Sequence, residues 1–246
     1  MKEITINDIK VLWDKDSIDR EVKRVASEID SKFKLDKSVN LIPIMTGGLM
    51  FVSNLIAELE ILRSGCYHMF PLIAKTYGNS TQSQGTTIYG YDFLAENIDI
   101  DSPSVIVDDL MDSGETLYKL SEKLEITSNK EVYSAVLLDK LGKRHMDIEP
   151  DFNCFILDDK RWVVGYGMDY KGLFRGLDYV GTINIDWSFM KISKVIVDII
   201  ERDTGPLNVK DERSDIGGKT TQGVLRLITD NGIEGNAFIG DQASSS

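Results

Sequence analysis

Cysteine and histidine are scarce in this sequence, which has two of each among 246 residues. Cys66 and Cys154 lie far apart, which argues against a disulfide framework or a structural zinc site and fits a reducing compartment. His68 and His145 match no catalytic pattern. The chemistry of this protein is therefore expected to rest on other side chains.

Long apolar runs are also lacking. No run approaches the roughly 20 residues that span a bilayer, and residues 1–14 lack the apolar segment of a signal peptide. We therefore expect a cytoplasmic protein without a membrane partner.

Basic residues are outnumbered, with 28 Lys and Arg against 40 Asp and Glu and a net charge of −12. Such a chain repels a phosphate backbone, so no nucleic-acid partner is expected. A small phosphorylated ligand stays possible, because Mg²⁺ and backbone N–H groups can bind it locally. The glycine fingerprints of Rossmann oxidoreductases and P-loop NTPases are absent from the sequence.

Apolar runs and helical patterns alternate over most of the chain, and 42% of the residues are hydrophobic. This order predicts an α/β fold with a mainly parallel sheet, in which ligands bind at the carboxyl ends of the strands. Helices are predicted at residues 17–33, 49–62 and 117–124, and strands at 40–45, 66–74, 86–91, 104–107, 132–138, 152–156, 162–164 and 179–183.

The pattern changes near residue 188. Residues 191–202 are predicted to form a helix with an apolar stripe, and a polar, glycine-rich segment follows. We therefore divide the chain into a domain at 1–190 and a C-terminal extension of unknown role at 191–246. The last residues, 243–246, are predicted to be disordered.

The string VIVDDLMDSGETL, residues 105–117, carries the most informative chemistry. An apolar strand delivers Asp108 and Asp109 to its end, and Asp112 follows on the turn. Adjacent acids at this place can accept hydrogen bonds from a diol or face a metal-bound sugar. The simpler alternative, an acidic helix cap, explains any single acid but not the whole string.

The residues that follow Asp112 open a helix, whose N-terminus offers unpaired N–H groups and a positive dipole end to a phosphate. Gly114 permits close backbone approach, and the hydroxyls of Ser113 and Thr116 can donate to phosphate oxygens. The string resembles the signature of type I phosphoribosyltransferases for phosphoribosyl pyrophosphate (PRPP). The resemblance implies that Asp108 and Asp109 contact the ribose hydroxyls.

The same resemblance implies roles for the rest of the turn. Ser113, Gly114, Glu115 and Thr116 would hold the 5-phosphate, and Asp112 would be the general base near N7 of a purine. Three more stretches resemble the hypoxanthine-guanine phosphoribosyltransferases: LIPIMTGGLMF (41–51), KTYGNSTQSQG (75–85), and LLDKLGKR with WVVGYGMDYKGLFRGLDYVGTI (137–144 and 162–183). The resemblance implies a type I phosphoribosyltransferase fold with a small hood, beside the C-terminal extension.

Within these stretches the resemblance assigns further residues. Thr46 and Gly47 lie in the pyrophosphate loop, where Thr46 replaces a common lysine and where the family often has a cis peptide, here Met45–Thr46. Thr76 and Tyr77 would form a lid. The remaining assignments are Lys140 as donor to the 6-oxo group, Trp162 stacking on the base, the Val163 backbone at the base edge, Asp169 at Mg²⁺, and Arg144 and Arg175 near the pyrophosphate. Taken one at a time, Trp162 also fits a core residue, and Lys140, Arg144 and Arg175 also fit solvated surface charges.

The resemblance implies a purine-salvage enzyme that uses Mg²⁺, PRPP and a purine base, and that assembles as a homodimer or homotetramer. Two alternatives stay open. One is a preference for xanthine, because the contacts to position 2 of the base are largely made by backbone. The other is a regulatory protein that binds PRPP without turnover, which the Thr46 change and the C-terminal extension favour mildly.

Overall fold

The computed structural model describes residues 4–75, 87–144, 146–158, 160–184, 191–204, 218–229 and 234–242. Contacts divide these residues into two compact units. Residues 4–75 and 87–184 form the larger unit, and the described residues from 191 onward form the C-terminal unit. None of the described helices combines the length and apolar character needed to cross a membrane.

The larger unit alternates strands and helices. Its elements are β1 (Ile9–Trp13), α1 (Lys15–Lys32), β2 (Val39–Met45), α2 (Leu49–Leu62), β3 (Tyr67–Met69), β4 (Leu72–Lys75), β5 (Thr87–Tyr89), α3 (Tyr91–Asn97), β6 (Ser104–Met111), α4 (Glu115–Thr127), β7 (Val132–Lys140), β8 (Phe152–Leu157), β9 (Trp162–Val164) and β10 (Val180–Ile183). Two short 3-10 helices, Ile6–Asp8 and Leu141–Lys143, complete the unit.

Seven strands form the central sheet, in the order β5-β4-β2-β6-β7-β8, with β3 also paired to β2. The neighbours β2, β6, β7 and β8 run parallel, and only β5 is antiparallel, to β4. The parallel strands therefore end at one edge, where β6 leads to Asp112 and β7 ends at Lys140. This confirms the predicted α/β class with a mainly parallel sheet.

Helices cover both faces of this sheet. The apolar stripe of α1 is fully buried, as are Phe51 and Leu55 of α2, in the core that contains Leu41. On the other face α4 buries Leu117, Leu120 and Leu124 with Ile106 of β6. Because successive residues of a strand point to opposite faces, β2 and β6 contribute to both cores, which explains their nearly continuous apolar sequences.

A second, antiparallel sheet of three strands has the order β1-β10-β9. It brings the N-terminal strand next to β10, where Ile9 pairs with Ile183, and sets Thr182 opposite Val163 of β9. The sequence pattern missed β1, because its five residues, four apolar and one lysine, show no clear alternation. This small sheet places Trp162 and Val163.

Several sequence-based boundaries differ from the structure; β6, for example, was predicted to end at residue 107 and continues to Met111. Two of the differences have clear local causes. The strand predicted at 66–74 is two strands, β3 and β4, separated at Phe70 and Pro71, since proline lacks the N–H that a sheet ladder needs. The strand predicted at 86–91 ends at Tyr89, and Gly90, with φ +88°, immediately precedes α3. A left-handed residue of this kind ends the strand and turns the chain.

The C-terminal unit is an antiparallel sheet of β11 (Ile192–Thr204), β12 (Gly218–Thr229) and β13 (Glu234–Gln242). The helix predicted at 191–202 is therefore wrong. The segment is rich in Ile and Val, whose branched side chains favour strands. Pairing with β12, for example of Val197 with Leu225, satisfies the backbone hydrogen bonds of this segment, which in a helix would form within the segment itself. The tail 243–246 lies outside the described residues.

Candidate active site

The turn between β6 and α4 contains Asp112, Ser113 and Gly114. Gly114 has φ +84°, a backbone conformation that favours glycine, and a Cβ there would lie 2.9 Å from Ile148 Cγ2. The Met146 N–H donates to the Ser113 carbonyl, 3.3 Å, and the Glu115 N–H to Ser113 Oγ, 3.3 Å. The turn is thus held tightly at the N-terminus of α4, which is a suitable place for a phosphate.

The other two residues assigned to the phosphate, Glu115 and Thr116, have side chains in different surroundings. The Glu115 carboxylate pairs with Lys119, 2.6 Å, along the surface of α4. Thr116 is partly buried in the first turn of the helix. The N-terminal N–H groups and the hydroxyls of Ser113 and Thr116 are therefore the stronger candidates for contact with a phosphate.

Asp108 and Asp109 lie side by side in the last part of β6. Asp108 is buried, and burial together with the neighbouring Asp109 carboxylate raises its pKa well above the usual range. Burial also raises the pKa of Asp109, and the positive charge of Arg175 partly offsets that rise. The Asp109 N–H donates to Asp108 Oδ1, 2.9 Å. Carboxylate oxygens at this place can accept hydrogen bonds from hydroxyl donors.

The glycine loop, which consists of Thr46, Gly47 and Gly48, approaches this acid pair directly. A Cβ on Gly47 would overlap the Asp109 carboxylate, and a Cβ on Gly167 would overlap the Gly47 carbonyl. The Met45–Thr46 peptide is cis, as the resemblance implies. Glycine is thus required on both sides of the contact, and Thr46 lies exposed at the tip of the loop.

A cavity of about 250 Å³ adjoins the acids and the turn. Lys140 reaches it from the end of β7, is only 3% exposed, and places Nζ 3.9 Å from Asp112 Oδ1. The lining residues are Asp109, Leu110, Asp112, Lys140, Lys143, Trp162, Val163, Met168 and Asp169. Residues that are distant in sequence, and were assigned to the base separately, therefore surround one space.

The aromatic wall of this cavity is Trp162, which is 40% exposed. Its Nε1–H donates to the Asp169 carbonyl, 2.7 Å, and Tyr170 meets its ring edge-on at 6.1 Å. The alternative that Trp162 is a core residue is therefore not supported, because a core indole would be covered. Val163, by contrast, is buried in β9.

Asp169 is held by the loop that follows β9. Its Oδ2 accepts from the Gly172 N–H, 2.6 Å, and its Oδ1 pairs with Arg175. Arg175 also donates to the Gly167 carbonyl, 2.6 Å, so it links Asp169 to the segment that packs against Gly47. Arg144 does not line the cavity. It pairs with Asp139 and donates to the Ile148 carbonyl, 3.0 Å, beneath the turn.

Among the described residues, no cluster of three or more His, Cys, Asp or Glu side chains is arranged to hold a metal ion by itself. Mg²⁺ is commonly bound by one or two carboxylates together with substrate phosphates, and Asp169 offers a carboxylate at the cavity. A cation would also relieve the repulsion that raises the pKa of Asp108 beside Asp109.

Comparison with known proteins identifies the family. The family model of the phosphoribosyl transferase domain matches residues 13–171 of this sequence. The chain is 34% identical over 176 residues to a hypoxanthine-guanine phosphoribosyltransferase of Bacillus subtilis, which covers 71% of this chain and 92% of that protein. This chain belongs to the hypoxanthine-guanine phosphoribosyltransferase family.

Other relatives agree with this assignment. A hypoxanthine-guanine-xanthine phosphoribosyltransferase of Tritrichomonas foetus is 28% identical over 175 residues, which are 71% of this chain and 91% of the relative. The crystal structure of a hypoxanthine phosphoribosyltransferase from Staphylococcus aureus has 26% identity and a TM-score of 0.62, over 75% of this chain and 96% of that one. The type I phosphoribosyltransferase fold is thereby confirmed.

Sequence reasoning missed one polar residue of the cavity in this phosphoribosyltransferase, Lys143. Its Nζ lies 3.5 Å from Asp112 Oδ2. The signal was its spacing, since residues three apart in a 3-10 helix lie on the same side, and Lys143 follows Lys140 by three. The lid residues Thr76 and Tyr77 lie outside the described residues.

Proposed function

We propose that this protein is a Mg²⁺-dependent enzyme of purine salvage. It transfers the 5-phosphoribosyl group of PRPP to N9 of hypoxanthine or guanine, giving IMP or GMP and pyrophosphate. The observation that carries this proposal is the cavity in which Asp112, Lys140 and Trp162 meet beside the helix N-terminus that follows Gly114. A purine and a phosphate thus have adjoining places on one rigid sheet edge.

The phosphoribosyl half would bind at the end of β6. Ser113, Thr116 and the N–H groups at the start of α4 would hold the 5-phosphate, whose charge the helix dipole favours. Asp108 and Asp109 would accept hydrogen bonds from the ribose hydroxyls. Thr46 and Gly47 would approach the pyrophosphate, which places the departing group between the glycine loop and Arg175.

Base recognition follows from the chemistry of Lys140. An ammonium group has donors only, so it suits the 6-oxo oxygen of hypoxanthine or guanine. Adenine presents an amino donor at this position, so the ammonium would face a donor instead of an acceptor. Mismatches of this kind discriminate by factors of about 10⁴. Trp162 would stack on the ring, and the Val163 backbone would meet its edge.

The transfer proceeds by displacement at C1 of the ribose. The N9–C1 bond forms, the bond from C1 to the pyrophosphate oxygen breaks, and pyrophosphate departs with the bonding pair. Asp112 takes the N7 proton as N9 attacks, which is general-base catalysis. Arg175 would lie near the departing charge. Asp169 would help to hold Mg²⁺, which would supply further neutralisation of that charge.

Three further parts of the proposal rest on the family. Thr76 and Tyr77 would close over the reacting centre and exclude water, which otherwise hydrolyses the activated sugar. Arg144 would help to bind pyrophosphate, although its present partners suggest a structural link between β7 and the turn. We also expect a cytoplasmic homodimer or homotetramer.

A xanthine-preferring enzyme is the second candidate. The Tritrichomonas foetus relative, whose name includes xanthine, supports it at 28% identity. The two candidates differ only at position 2 of the base, where the expected contacts come from backbone.

The deciding experiment is a turnover assay with PRPP and Mg²⁺, in which hypoxanthine, guanine, xanthine and adenine are offered separately. We expect nucleotide from 6-oxopurines and little from adenine. Asp112→Asn keeps the shape of the side chain but removes the base, so kcat should fall by about 10² to 10⁴. A melting curve of the variant controls for folding.

Two outcomes would redirect the proposal. Measurable PRPP binding without turnover of any base would indicate a regulatory PRPP-binding protein. Turnover of adenine as fast as hypoxanthine would contradict the role of Lys140.

A further inference from the structure

Lys143 contacts two parts of the base site at once. It ends the 3-10 helix Leu141–Lys143, and its side chain is 50% exposed. Its Nζ lies 3.5 Å from Asp112 Oδ2 and 5.8 Å from the centre of the Trp162 ring. The same ammonium therefore meets both the carboxylate proposed as general base and the ring proposed to stack on the purine.

The two oxygens of Asp112 have different surroundings. Oδ1 is buried, lies 3.9 Å from Lys140 Nζ, and has no hydrogen-bond partner among the described residues. The exposed part of the Asp112 side chain is therefore on the side of Oδ2. A ligand in the cavity would reach Oδ2, which is the oxygen that Lys143 contacts.

We propose that Lys143 determines the affinity for the base by competing with it. A neutral purine that donates N7–H to Oδ2 and stacks on Trp162 takes both places that the Lys143 ammonium now holds. Lys143 must then move aside, toward the solvent to which half of its side chain is already open. The inference rests on the proposed function of this site, and it adds a residue that sets base affinity.

The size of the effect follows from the two contacts that are given up. Exposed ion pairs and exposed cation–π contacts are each weak. Together they correspond to about a two- to tenfold weaker binding of the base. The opposite behaviour would arise if Lys143 stayed in place and donated to the purine, because its removal would then weaken binding. The sign of the change therefore decides the proposal.

The test compares Lys143→Met, which keeps the length and removes the charge, with Lys143→Arg, which keeps the charge. The matched control is Lys23→Met, since Lys23 also forms an exposed ion pair, with Glu58 at 3.9 Å, on α1 and α2. Calorimetry gives the dissociation constant of hypoxanthine for each protein without requiring turnover. Michaelis constants for hypoxanthine and PRPP are measured in parallel.

We expect hypoxanthine to bind Lys143→Met about two- to tenfold more tightly than the wild type. Lys143→Arg and Lys23→Met should bind as the wild type does. The Michaelis constant should fall for hypoxanthine and not for PRPP, which separates competition at the base site from a general change of structure. Equal or weaker binding by Lys143→Met would overturn the proposal.

Failure of this inference is distinguishable from failure of the proposed function. Nucleotide formation by the wild type, with no tighter binding by Lys143→Met, overturns the inference alone. Tighter binding by Lys143→Met, with no nucleotide formed by the wild type, supports the inference and overturns the enzymatic proposal. If hypoxanthine binds neither protein, the inference is overturned as well.

Discussion

The larger unit and the C-terminal unit are both built on β-sheets, but they use their apolar residues differently. In the larger unit, Leu41 and Ile42 of β2 point to opposite faces, and both are fully buried under helices. In the C-terminal unit, Val195, Val197 and Ile199 of β11 share one face and are all more than half exposed. A sheet covered on both faces is rigid and can hold side chains accurately at its ends.

The polar residues follow the same division. At the ends of β6 and β7, Asp108 and Lys140 are buried, and Lys140 lines one cavity together with Asp109 and Asp112. In the C-terminal unit polar residues form surface pairs, such as Arg226 with Asp198, 2.7 Å, and with Glu234, 3.5 Å. Buried, convergent polar groups indicate a functional site, whereas exposed ion pairs are common on any surface.

The largest expected difference between the units concerns core truncation. Ile106→Ala removes a fully buried side chain from β6 and should lower the free energy of unfolding by about 2–5 kcal/mol. Ile199→Ala, at a side chain that is 68% exposed, should change it by less than about 1 kcal/mol. Urea unfolding of both variants measures the contrast. Equal losses would mean that the apolar face of β11 is covered in solution.

The next largest difference between the units is expected when a glycine is replaced by alanine. Gly167, with φ +104°, has no room for a Cβ against the Gly47 carbonyl, so Gly167→Ala must displace the glycine loop from Asp109. A shift of about 1 Å in such a site lowers kcat/KM by about 10²-fold. A Cβ on Gly235 in β13 would meet no atom of the described residues within 4 Å, so Gly235→Ala should leave turnover unchanged. Normal activity of Gly167→Ala would show that the loop does not position the reacting groups.

The smallest expected contrast is between two Asp→Asn variants, one in each unit, which should change stability in opposite directions. Because the pKa of Asp108 is raised in the folded state, its charge opposes folding at pH values above that pKa, and the cost disappears as the pH falls below the usual value of about 3.9. Asp108→Asn should therefore raise the melting temperature at pH 7.5, with a gain that vanishes toward pH 4. Asp198→Asn should lower stability by about 0.2–1 kcal/mol through loss of the Arg226 pair.

Melting curves of both Asp variants between pH 4 and pH 8 provide the measurement. A pH-independent gain for Asp108→Asn would contradict burial of a charged carboxylate as the cause. A gain for Asp198→Asn would show that its ion pair does not stabilise the C-terminal unit.

Much of the larger unit followed from its sequence. The helix at 49–62 and the strand at 162–164 match the structure residue for residue, because long apolar stripes and glycine turns are local signals. The strand β1 and the division between β3 and β4 were missed, since their limits depend on partners elsewhere in the chain. In β11 a local apolar stripe suggested a helix, and pairing with β12 decided otherwise.

In the site as well, local features could be predicted from the sequence, and contacts between distant segments could not. The order of acids, glycine and hydroxyl residues after β6 predicted a phosphate-binding turn, because residues adjacent in sequence form it. The contacts of Gly47 with Asp109 and of Gly167 with Gly47 could not be predicted, because they join three separate segments of the chain. Lys143 was missed for a related reason. Its spacing from Lys140 indicates a shared side of the 3-10 helix, but the contacts with Asp112 and Trp162 show that its ammonium enters the base site.

The sequence by itself thus determined the fold class, the family and the chemical types of the side chains at the site. Tertiary structure alone decided which of them share one cavity, which oxygen of Asp112 faces Lys143, and that Arg144 is bound to Asp139 instead of lining the cavity. The physical reason is that local patterns fix backbone conformation over a few residues. Burial, close approach and charge pairing arise only when distant strands end at the same edge of a sheet.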